Sequence, residues 1–554
     1  MKNKTKRTVA ALLFSGAMVL TTGCKQKISS DTVVIHAANL GYGLSWLHKL
    51  TDDYSKKTGV KFKIQEAIGQ DGVVSIMSEI QSLTGRSDIL ITRPRTKYFS
   101  TIYEGQIQAA NGQTYPCAFE DLTDICTTPY DGETGNNTIV KKLNKSYLDY
   151  ITVNEKQYAL PWANGFMSFA RNVDKWNELG LTDNDIPYTT NQMFECFNKI
   201  TSKGTKALIY SRSDEYYSSI PNVWFGQYEG KVAQDLYKEG LSPSGELNGN
   251  IFTYDGQVES LKVLETIADN EAGRAPKEGQ YNYGTNNWTH ESSKSASFTQ
   301  MQNYFYGGAC VFCLNGTWLE IEMTKSTNAV KGRNVDFIRI PVISSITNRM
   351  NMGDSSSPSY IADDAQRDAK LAEVVKYVDE HATVGDNATK PSGVTDDDVE
   401  IVREARVYNS VQGTDYDHVM LVPSWSGNKE AAKGFLKYIY SDEGLQTFYN
   451  TMEGHHLPAV KSTGAYDVPF TLTPFRQSAN ALLEEGHFSG FDYIAEKNKI
   501  FCIANILTNF SNNIPGGNFF NAMRDSNLSA EEIIDKNDNY IVNKWDNIRG
   551  QIGA

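Results

Sequence analysis

The chain has 554 residues, of which 40% are hydrophobic, 11% aromatic and 21% charged. This length and composition indicate a folded protein of more than one lobe and exclude a disordered or collagen-like chain. The formal net charge is −13, and removal of the first 23 residues, which hold four basic and no acidic side chains, leaves 49 bases against 66 acids, or −17. Because such a surface repels phosphate, we do not expect nucleic acid as a partner.

The amino terminus has the pattern of an export signal. A basic stretch, MKNKTKR, precedes the apolar segment VAALLFSGAMVL, which is too short to span a bilayer and is typical of a secretory signal peptide. The following residues, Leu20 to Cys24, resemble the lipobox of bacterial lipoproteins, although Thr21 stands where leucine is usual. The resemblance implies a signal peptide over 1–23, lipidation of Cys24, a tether over 24–31 and anchoring on the extracytoplasmic face of the cell membrane.

Six cysteines remain after the predicted lipid site. An even number in an exported protein permits disulfides without requiring them, and Cys117 and Cys126 could close a short loop. Cys310 and Cys313 have the spacing of a metal-binding pair, but a second pair is absent, and ACVFCL reads as a buried strand in which both side chains fill space. We expect no metal and no cofactor, and the disulfide state stays open for Cys117, Cys126, Cys196, Cys310, Cys313 and Cys502.

Strand and helix patterns alternate after the tether. TVVIHA at 32–37 reads as a buried strand, residues 45–58 as a helix with an apolar face, and VKFKIQEA as an alternating strand; another helix and the strand DILIT at 88–92 follow. This alternation predicts a parallel sheet covered on both faces, in which ligands bind at the loops beyond the carboxyl ends of the strands. The loops NLGYGLS and RPRTKY, with Tyr42 and Arg93, are therefore the first candidates for a site.

The stretch KQYALPWANGFMSFARNVDKWNELGL at 156–181 resembles the extracellular solute-binding proteins (family 1) of carbohydrate ABC importers. That family commonly shows a tyrosine, an apolar pair and a proline where the chain crosses between lobes, then an aromatic residue, an asparagine and a helix ending in Gly-Leu. Arg171 stands where tyrosine is usual. Later stretches agree in order: FYGGACVFCLNGTWLEI, FIRIPVI, SGNKEAAKGFLKYIYSDEGLQTFY, HHLPAV and NLSAEEIIDKNDNYI. The residues that fit the first stretch are Tyr158, Leu160, Pro161, Phe169, Asn172, Trp176, Gly180 and Leu181.

The resemblance implies an α/β fold of the two-lobed periplasmic-binding-protein type. Each lobe is expected to be a mostly parallel sheet flanked by helices, and hinge strands join the lobes. We expect the chain to cross near 158–165 and to return near 338–342. The expected division is a first lobe over 32–160 with part of 344–425, a second lobe over 161–340, an insertion and return over 344–417, and C-terminal helices over 426–554 that pack on the lobes.

We find no enzyme signature in the sequence. GYGLSW at 41–46 lacks the third glycine of a dinucleotide loop, and the Walker, GxSxG and HExxH motifs are absent. His455 and His456 are adjacent, which in a strand points them to opposite faces. Residues 535–546 read as helix rather than as a calcium loop, because Tyr540 replaces the required glycine. A pair of catalytic carboxylates of the glycosidase kind depends on the fold and stays open.

Aromatic residues give the strongest functional signal, with 8 Trp, 30 Tyr and 24 Phe in the chain. Ring faces pack on the apolar faces of sugars, and polar side chains bind the hydroxyls. By the resemblance, Trp318 in NGTW occupies a ligand-stacking position, and Trp162 and Asn164 lie on the crossing segment; each could instead be a core or hinge residue. The other candidate ligand residues are Tyr42, Arg93, Tyr216, Tyr217, Trp224, Trp288 and Phe519.

The sequence thus predicts a lipid-anchored substrate-binding protein of an ABC importer, and not an enzyme. It would act as a monomer, bind a sugar or oligosaccharide in the interlobe cleft, and deliver it to a membrane permease. One alternative is a surface glycan hydrolase, whose aromatic residues would line subsites around two carboxylates. Another is a non-transport glycan-binding lipoprotein built from helical repeats, against which the strands of 32–92 argue.

Overall fold

The structure is a computed structural model that describes residues 32–130, 137–326, 332–381, 389–412, 418–461, 469–485, 497–504, 506 and 512–554. The predicted signal peptide, the tether and Cys24 lie outside the described residues. None of the described helices combines the length and the apolar character needed to cross a membrane.

The chain begins with alternating strands and helices, as its hydrophobic periodicity predicts. The elements before the first crossing are β1 (Thr32–Asn39), α1 (Ser45–Thr58), β2 (Lys61–Ile68), α2 (Gly69–Ser82), β3 (Ile89–Thr92), α3 (Thr96–Tyr103), β4 (Ile107–Gln108), β5 (Thr114–Tyr115), α4 (Thr123–Thr127), α5 (Ile139–Lys142), α6 (Lys145–Ile151), β6 (Thr152–Val153), β7 (Lys156–Gln157) and β8 (Ala159–Pro161).

A longer mixed region follows the first crossing. Its elements are β9 (Phe166–Asn172), α7 (Val173–Glu178), α8 (Thr190–Ser202), β10 (Lys206–Ile209), α9 (Ile220–Lys238), α10 (Asp255–Glu271), α11 (Phe298–Tyr306), β11 (Cys310–Gly316), α12 (Leu319–Ser326), β12 (Val335–Ile338), α13 (Asp364–Glu380), α14 (Asp396–Arg406) and β13 (Val411–Gln412). Short 3-10 helices lie at Asp183–Asp185, Glu291–Lys294 and Ser344–Arg349.

The last part of the chain is mainly helical. It contains β14 (Val419–Leu421), α15 (Lys429–Ile439), α16 (Asp442–Met452), α17 (Pro474–Glu485), α18 (Lys499–Cys502), a 3-10 helix at Pro515–Gly517, α19 (Phe519–Ser526) and α20 (Ala530–Ile552). Ser529 and Glu532 form a capping box at the start of α20, so the stretch that has calcium-loop carboxylates in sequence is helical.

The first lobe is built on a sheet with strand order β2-β1-β3-β14-β8. β1 is parallel to β2 and β3, and its Ile35 lies opposite Ile64 on one side and Ile89 on the other. α2 packs on β1 and β2, and α1 packs on α15 and α16. The predicted β-α-β-α-β unit is therefore confirmed, and its helices cover the buried strands.

The second lobe has a sheet with strand order β10-β11-β9-β12, and β13 also pairs with β9. Only β10 and β11 are parallel, whereas β9 is antiparallel to β11, β12 and β13. The expectation of a mostly parallel sheet is wrong for this lobe, because the strand that enters from the hinge inserts between β11 and β12.

The return to the first lobe lies later in the chain than the sequence predicts. The first crossing joins β8 to β9 and agrees with the prediction, but Ile340 and Val342 stay in the second lobe, where their backbone N–H groups donate to Asn409 O at 2.6 Å and Tyr188 O at 2.8 Å. The chain re-enters the first sheet only at β14, which is antiparallel to β3 and β8. The predicted return of the chain to the first lobe near 338–342 is therefore wrong, because β13, which comes later, still pairs with β9 in the second-lobe sheet.

The segment expected as an insertion contributes to the second lobe. α13 and α14 pack on each other, and α14 packs on α9. Arg406 holds the two helices together, with Nε and Nη2 donating to the Asp379 carboxylate at 2.7 and 2.9 Å.

The C-terminal helices divide between the lobes. α15 and α16 pack on α1, α17 packs on β12, and α19 and α20 pack on α10. Adjacent residues of one short segment contact both lobes, because Lys497 Nζ donates to Asp149 O in the first and Asn498 Nδ2 donates to Tyr237 O in the second at 2.9 Å. This segment ties the lobes together at a second place besides the crossing strands.

Candidate functional site

The segment that makes the first crossing lies between the lobes and is hydrogen-bonded to the first lobe. The backbone N–H of Trp162 donates to His418 O at 3.1 Å, and that of Asn164 donates to Leu457 O at 2.9 Å. The Asn164 side chain accepts a hydrogen bond from Tyr147 Oη at 2.8 Å. Both predicted residues therefore lie at the hinge.

An aromatic cluster lies on the first-lobe side of the crossing. The rings of Trp162 and Trp46 stack with centroids 4.8 Å apart. Tyr42 contacts Trp162 edge-on at 6.0 Å, His418 at 5.4 Å and His456 at 4.2 Å. Tyr42 and Trp162 are only 7% and 4% exposed, so in this arrangement they are interior residues of the interlobe region.

In the loop after β1, the backbone at Gly41, and not a side chain, lies at the boundary between the lobes. Asn39 Oδ1 accepts hydrogen bonds from the N–H groups of Gly41 at 3.2 Å and Gly43 at 3.0 Å. Both glycines have positive φ, +108° and +79°, a conformation that other residues adopt only at a cost. A Cβ atom on Gly41 would lie 2.6 Å from Oε1 of Glu322 in the second lobe, so the lobes touch at this point.

The wall that the second lobe contributes consists of Trp318, Tyr216 and Glu322. The two rings meet nearly at right angles, with centroids 6.2 Å apart. Burial raises the pKa of Tyr216, and the charge of the Glu322 carboxylate raises it further. Glu322 Oε2 also accepts a hydrogen bond from Gln302 Nε2 at 2.6 Å. The wall therefore joins flat rings to a carboxylate that faces the first lobe.

Gly316 allows the Trp318 ring to take this position. A Cβ atom on Gly316 would lie 2.2 Å from the Trp318 ring, which is closer than any two such atoms can approach. The glycine at the end of β11 is thus a steric requirement of the fold of NGTW, and Trp318 itself remains half-buried.

A cluster formed by Glu320, His455 and Arg476 also joins the lobes. Arg476 Nε donates to Glu320 Oε2 at 2.6 Å, and Arg476 Nη1 donates to Glu453 O at 2.7 Å. His455 Nδ1 lies 3.3 Å from Glu320 Oε2. Although burial raises the pKa of Glu320, its bonds to His455, Arg476 and Thr473 outweigh that effect and hold the pKa below its usual value.

The comparisons with known proteins agree with this architecture. The family model for bacterial extracellular solute-binding proteins matches residues 49–470, which is most of the chain. The chain belongs to this family. No curated protein matches the sequence of this solute-binding protein.

Several solved structures share the fold. A chitin oligosaccharide binding protein aligns with a TM-score of 0.57 at 14% identity, over 95% of this solute-binding protein and 100% of that chain. The ABC substrate-binding protein Lmo0181 from Listeria monocytogenes, in complex with cycloalternan, aligns with a TM-score of 0.55 at 12% identity, over 94% and 99%. The bacterial solute receptor AcbH, described as exclusive for β-D-galactopyranose, aligns at 0.57 and 12%, over 93% and 98%. At these identities the likeness establishes the two-lobed fold.

Two predicted ligand residues of the solute-binding protein lie in the core of the second lobe. Trp224 is within α9 and not in a loop, is fully buried, and donates from Nε1 to Pro341 O at 3.2 Å. Trp288 is also fully buried and stacks on Phe194 with centroids 5.1 Å apart. Trp224 is expected in a polar loop and lies instead within a helix, whereas Trp288 does lie in a loop beside polar residues, and its indole is turned into the interior.

The remaining predicted residues are buried or half-buried. Tyr217 is buried against Phe520, with centroids 4.4 Å apart, and Phe519 is half-buried at the start of α19. The loops that carry them adjoin, because Asn518 Nδ2 donates to Glu215 Oε1 at 3.1 Å. Arg93 is half-buried directly after β3. The structure thus groups Tyr42, Trp162 and Asn164 on one side and Tyr216 with Trp318 on the other.

Sequence reasoning missed Glu322 and the pair His418 and His456. Glu322 follows Trp318 by four residues, a spacing that places both on one face of a helix that begins at the NGTW turn. The adjacent imidazoles of His455 and His456 point apart, toward Glu320 and toward Tyr42. No sequence signal identifies His418, because it reaches the crossing only through the late return of the chain.

The described residues hold neither a cluster of metal ligands nor a disulfide. No three His, Cys, Asp or Glu side chains within them gather as metal ligands. The six cysteines of this part of the chain are all buried and unpaired, and Cys310 and Cys313 lie on the buried strand β11, as ACVFCL indicates.

Proposed function

We propose that this chain is the sugar-binding receptor of an ABC importer, lipid-anchored through Cys24 on the extracytoplasmic face of the membrane. The observation that carries the proposal is the pairing of half-buried rings, Trp318 and Tyr216, with the Glu322 carboxylate directly opposite the first-lobe loop at Gly41. The names of the structural relatives support a saccharide as the solute, since they are named for chitin oligosaccharide, cycloalternan and β-D-galactopyranose.

The chemistry of such a wall suits a sugar. A ring face packs on the apolar C–H surface of a pyranose, and a carboxylate accepts charge-assisted hydrogen bonds from its hydroxyls. Micromolar binding needs about −8 kcal/mol, which a stacked ring and a few such bonds can supply. In the open form, Trp318 and Glu322 would take the sugar first, and contacts from the loop at Gly41 would then stabilise the closed form.

Delivery to a membrane permease follows from the same proposal. A receptor that binds sugar without transforming it signals occupancy by closing, and the closed form would dock on the permease. The sequence has no Walker motif, so hydrolysis of ATP would take place in another subunit.

The test is a calorimetric titration with oligosaccharides, starting with chitin oligosaccharides, cycloalternan and galactose. We expect one saturable site, weakened at least tenfold by Trp318→Ala and unchanged by Trp545→Ala, which truncates another half-buried tryptophan on α20. Chromatography of the sugar after incubation should return it intact. Cleavage products, or equal affinity in both variants, would contradict the proposal.

The anchor needs a separate experiment. Cys24→Ser in the full chain should move the protein from the membrane fraction to the soluble fraction of the producing cells, whereas Cys196→Ser should leave it in the membrane fraction. Retention of the first variant in the membrane fraction would rule out Cys24 as the lipid site.

A further inference from the structure

One end of the first lobe lies opposite the cleft. β1, β2 and β3 are parallel, so their amino ends share one edge of the sheet, and the loop at Gly41 lies at the other edge. Thr32, the first described residue, begins β1 beside Lys61, the first residue of β2. The chain that leads from Cys24 therefore joins the lobe at this edge. We call the surface formed here by the end of α1, the start of β2 and the residues before β3 the amino-end face.

The exposed charged side chains of the amino-end face are mainly basic, although the formal net charge of the whole chain is −13. Two exposed carboxylates lie close to this face, Glu430 near the start of α15 and Glu443, which pairs with Lys57. α15 starts at this edge because Asn428 Nδ2 donates to Thr32 O at 3.4 Å. The basic side chains that define the amino-end face are Lys56, Lys57, Lys61, Lys63 and Arg86.

Three of these bases are not neutralised by the protein. Lys61, Lys63 and Arg86 are exposed, and none of them forms an ion pair with another described residue. β2 is the edge strand of its sheet, and its two lysines alternate with half-buried hydrophobic residues, so both project from the same side of the strand. The face therefore carries positive charge that has no partner within the described part of the chain.

The length of chain before Thr32 limits how far this face can move from a membrane. Seven residues separate Cys24 from Thr32. A fully extended segment of that length spans at most about 28 Å. With lipid on Cys24, the amino-end face would stay within that distance of the headgroups, at an effective concentration on the order of millimolar. Weak electrostatic attraction is then enough to bring the face into contact with the bilayer.

We propose that the amino-end face binds the anionic phospholipid surface of the membrane through Lys61, Lys63 and Arg86. The proposal rests on the lipid anchor at Cys24 that is part of the proposed function. A basic side chain beside an anionic bilayer favours contact by roughly fivefold, so the three together favour it by roughly a hundredfold. In this orientation the loop at Gly41 lies about 26 Å from the face, the length of the eight residues of β1, and the cleft stays clear of the headgroups.

The experiment measures how close this face lies to the bilayer when the lipidated full chain is reconstituted in vesicles of phosphatidylcholine, either alone or mixed with phosphatidylglycerol. Thr84→Cys, at an exposed position two residues before Arg86, carries a fluorophore that a nitroxide on the lipid headgroups quenches only at short range. Asn543→Cys, at an exposed position of α20, carries the control label. We expect quenching at position 84 in the mixed vesicles alone, its loss in high salt, and no quenching at position 543.

Two double variants separate the local charge from the total charge. Lys61→Gln with Lys63→Gln should reduce the ratio of contacting to free protein at least tenfold. Lys536→Gln with Lys544→Gln removes the same charge from exposed positions of α20 and should change nothing. Because all four lysines are exposed, both double variants should keep the melting temperature of the parent chain.

Equal quenching at position 84 in both kinds of vesicle, or in both double variants, would overturn the proposal. Quenching that rises with the density of protein and not with the charge of the lipid would place a second copy of the chain on this face and would also overturn it. A chain without lipid on Cys24 would float with neither kind of vesicle, and the proposal would fall together with the anchor. A chain that floats with both but shows no effect of lipid charge contradicts the membrane-binding face alone. No sugar is present in either measurement, so the result does not depend on the proposed receptor function.

Discussion

Arg476 Nη2 lies 2.8 Å from His455 Nε2, and this contact fixes the tautomer of the histidine. A guanidinium only donates hydrogen bonds, so Nε2 accepts and the ring proton resides on Nδ1, which faces Glu320. Because His455 follows the first-lobe helix α16 while Glu320 and Arg476 belong to the second lobe, the three side chains hold the lobes together.

Replacement of Glu320 should change how the free energy of unfolding depends on pH in the acidic range. Its folded pKa is lowered, so the carboxylate stabilises the protein above the unfolded pKa, and this contribution is lost as the pH falls through the folded value. Glu320→Gln should cost about 3 kcal/mol at pH 7, as for other broken buried pairs, and much less at pH 3. Urea unfolding at the two pH values measures the difference, and an equal cost at both would contradict the assignment.

Gly41 should control closure of the lobes. Gly41→Ala places a Cβ atom against Glu322 Oε1 and strains a positive φ, so we expect weaker sugar binding and a larger radius of gyration in solution scattering. Gly59→Ala is the matched control, because Gly59 also has a positive φ of +78° but has no atom within 4 Å of an added Cβ. If both variants expand equally, strain rather than the interlobe contact is responsible.

Gly316 and Trp318 should act as a unit. Gly316→Ala has no positive φ to strain, so its effect comes from displacement of the Trp318 ring. We expect it to lower sugar affinity and shift the tryptophan emission, and to add little further loss of affinity in the Trp318→Ala background. Additive losses of affinity in the double variant would show that the glycine acts elsewhere.

Trp288 should be important for folding and not for binding. Because its indole is fully buried against Phe194, Trp288→Ala should lower the free energy of unfolding by about 3–5 kcal/mol. The fraction that remains folded should bind ligand with unchanged affinity. Thermal unfolding combined with ligand titration tests both expectations. A loss of affinity without a loss of stability would show instead that Trp288 contributes to ligand binding.

The buried cysteines should be inert in the native protein. Burial raises the pKa of Cys196 and of Cys502 to about 12, so neither is a thiolate at neutral pH. The six thiols should resist iodoacetamide until the chain unfolds, and reductant should not change the melting temperature. A lower melting temperature under reduction would instead support a disulfide between Cys117 and Cys126.

Local patterns predicted much of the fold, and the failures have physical causes. The strands and helices up to Thr92 follow from hydrophobic period, and residues 535–546 were correctly read as helix. The return strand β14 has only three residues, which is too short for a hydrophobic period to be read. The stretch FIRIPVI, which the family resemblance predicts as the return, stays in the second lobe. Polar residues flank Trp224 and Trp288 in the sequence, yet both indoles are fully buried, because a single tryptophan gives no local signal of whether it faces inward.

The candidate site could be predicted only in part, because local patterns locate strand ends but not contacts between distant segments. The ends of β1, β3 and β8 could be located, and the residues that follow them identified Tyr42, Arg93, Trp162 and Asn164 as candidates. Residues that arrive from distant parts of the chain, such as His418 and Arg476, depend on tertiary packing that one sequence does not encode locally. Whether the predicted residues contact a ligand stays a prediction.

The place of β14 between β3 and β8 has a consequence for biogenesis. The sheet that starts the chain lacks a strand until Leu421 has emerged, and β8 cannot join β3 before then. The sheet of the later lobe, whose last strand ends at Gln412, can close earlier. During synthesis or translocation the order of assembly is therefore reversed relative to the order of the lobes, and a nascent chain halted before β14 would expose the unpaired edges of β3 and β8.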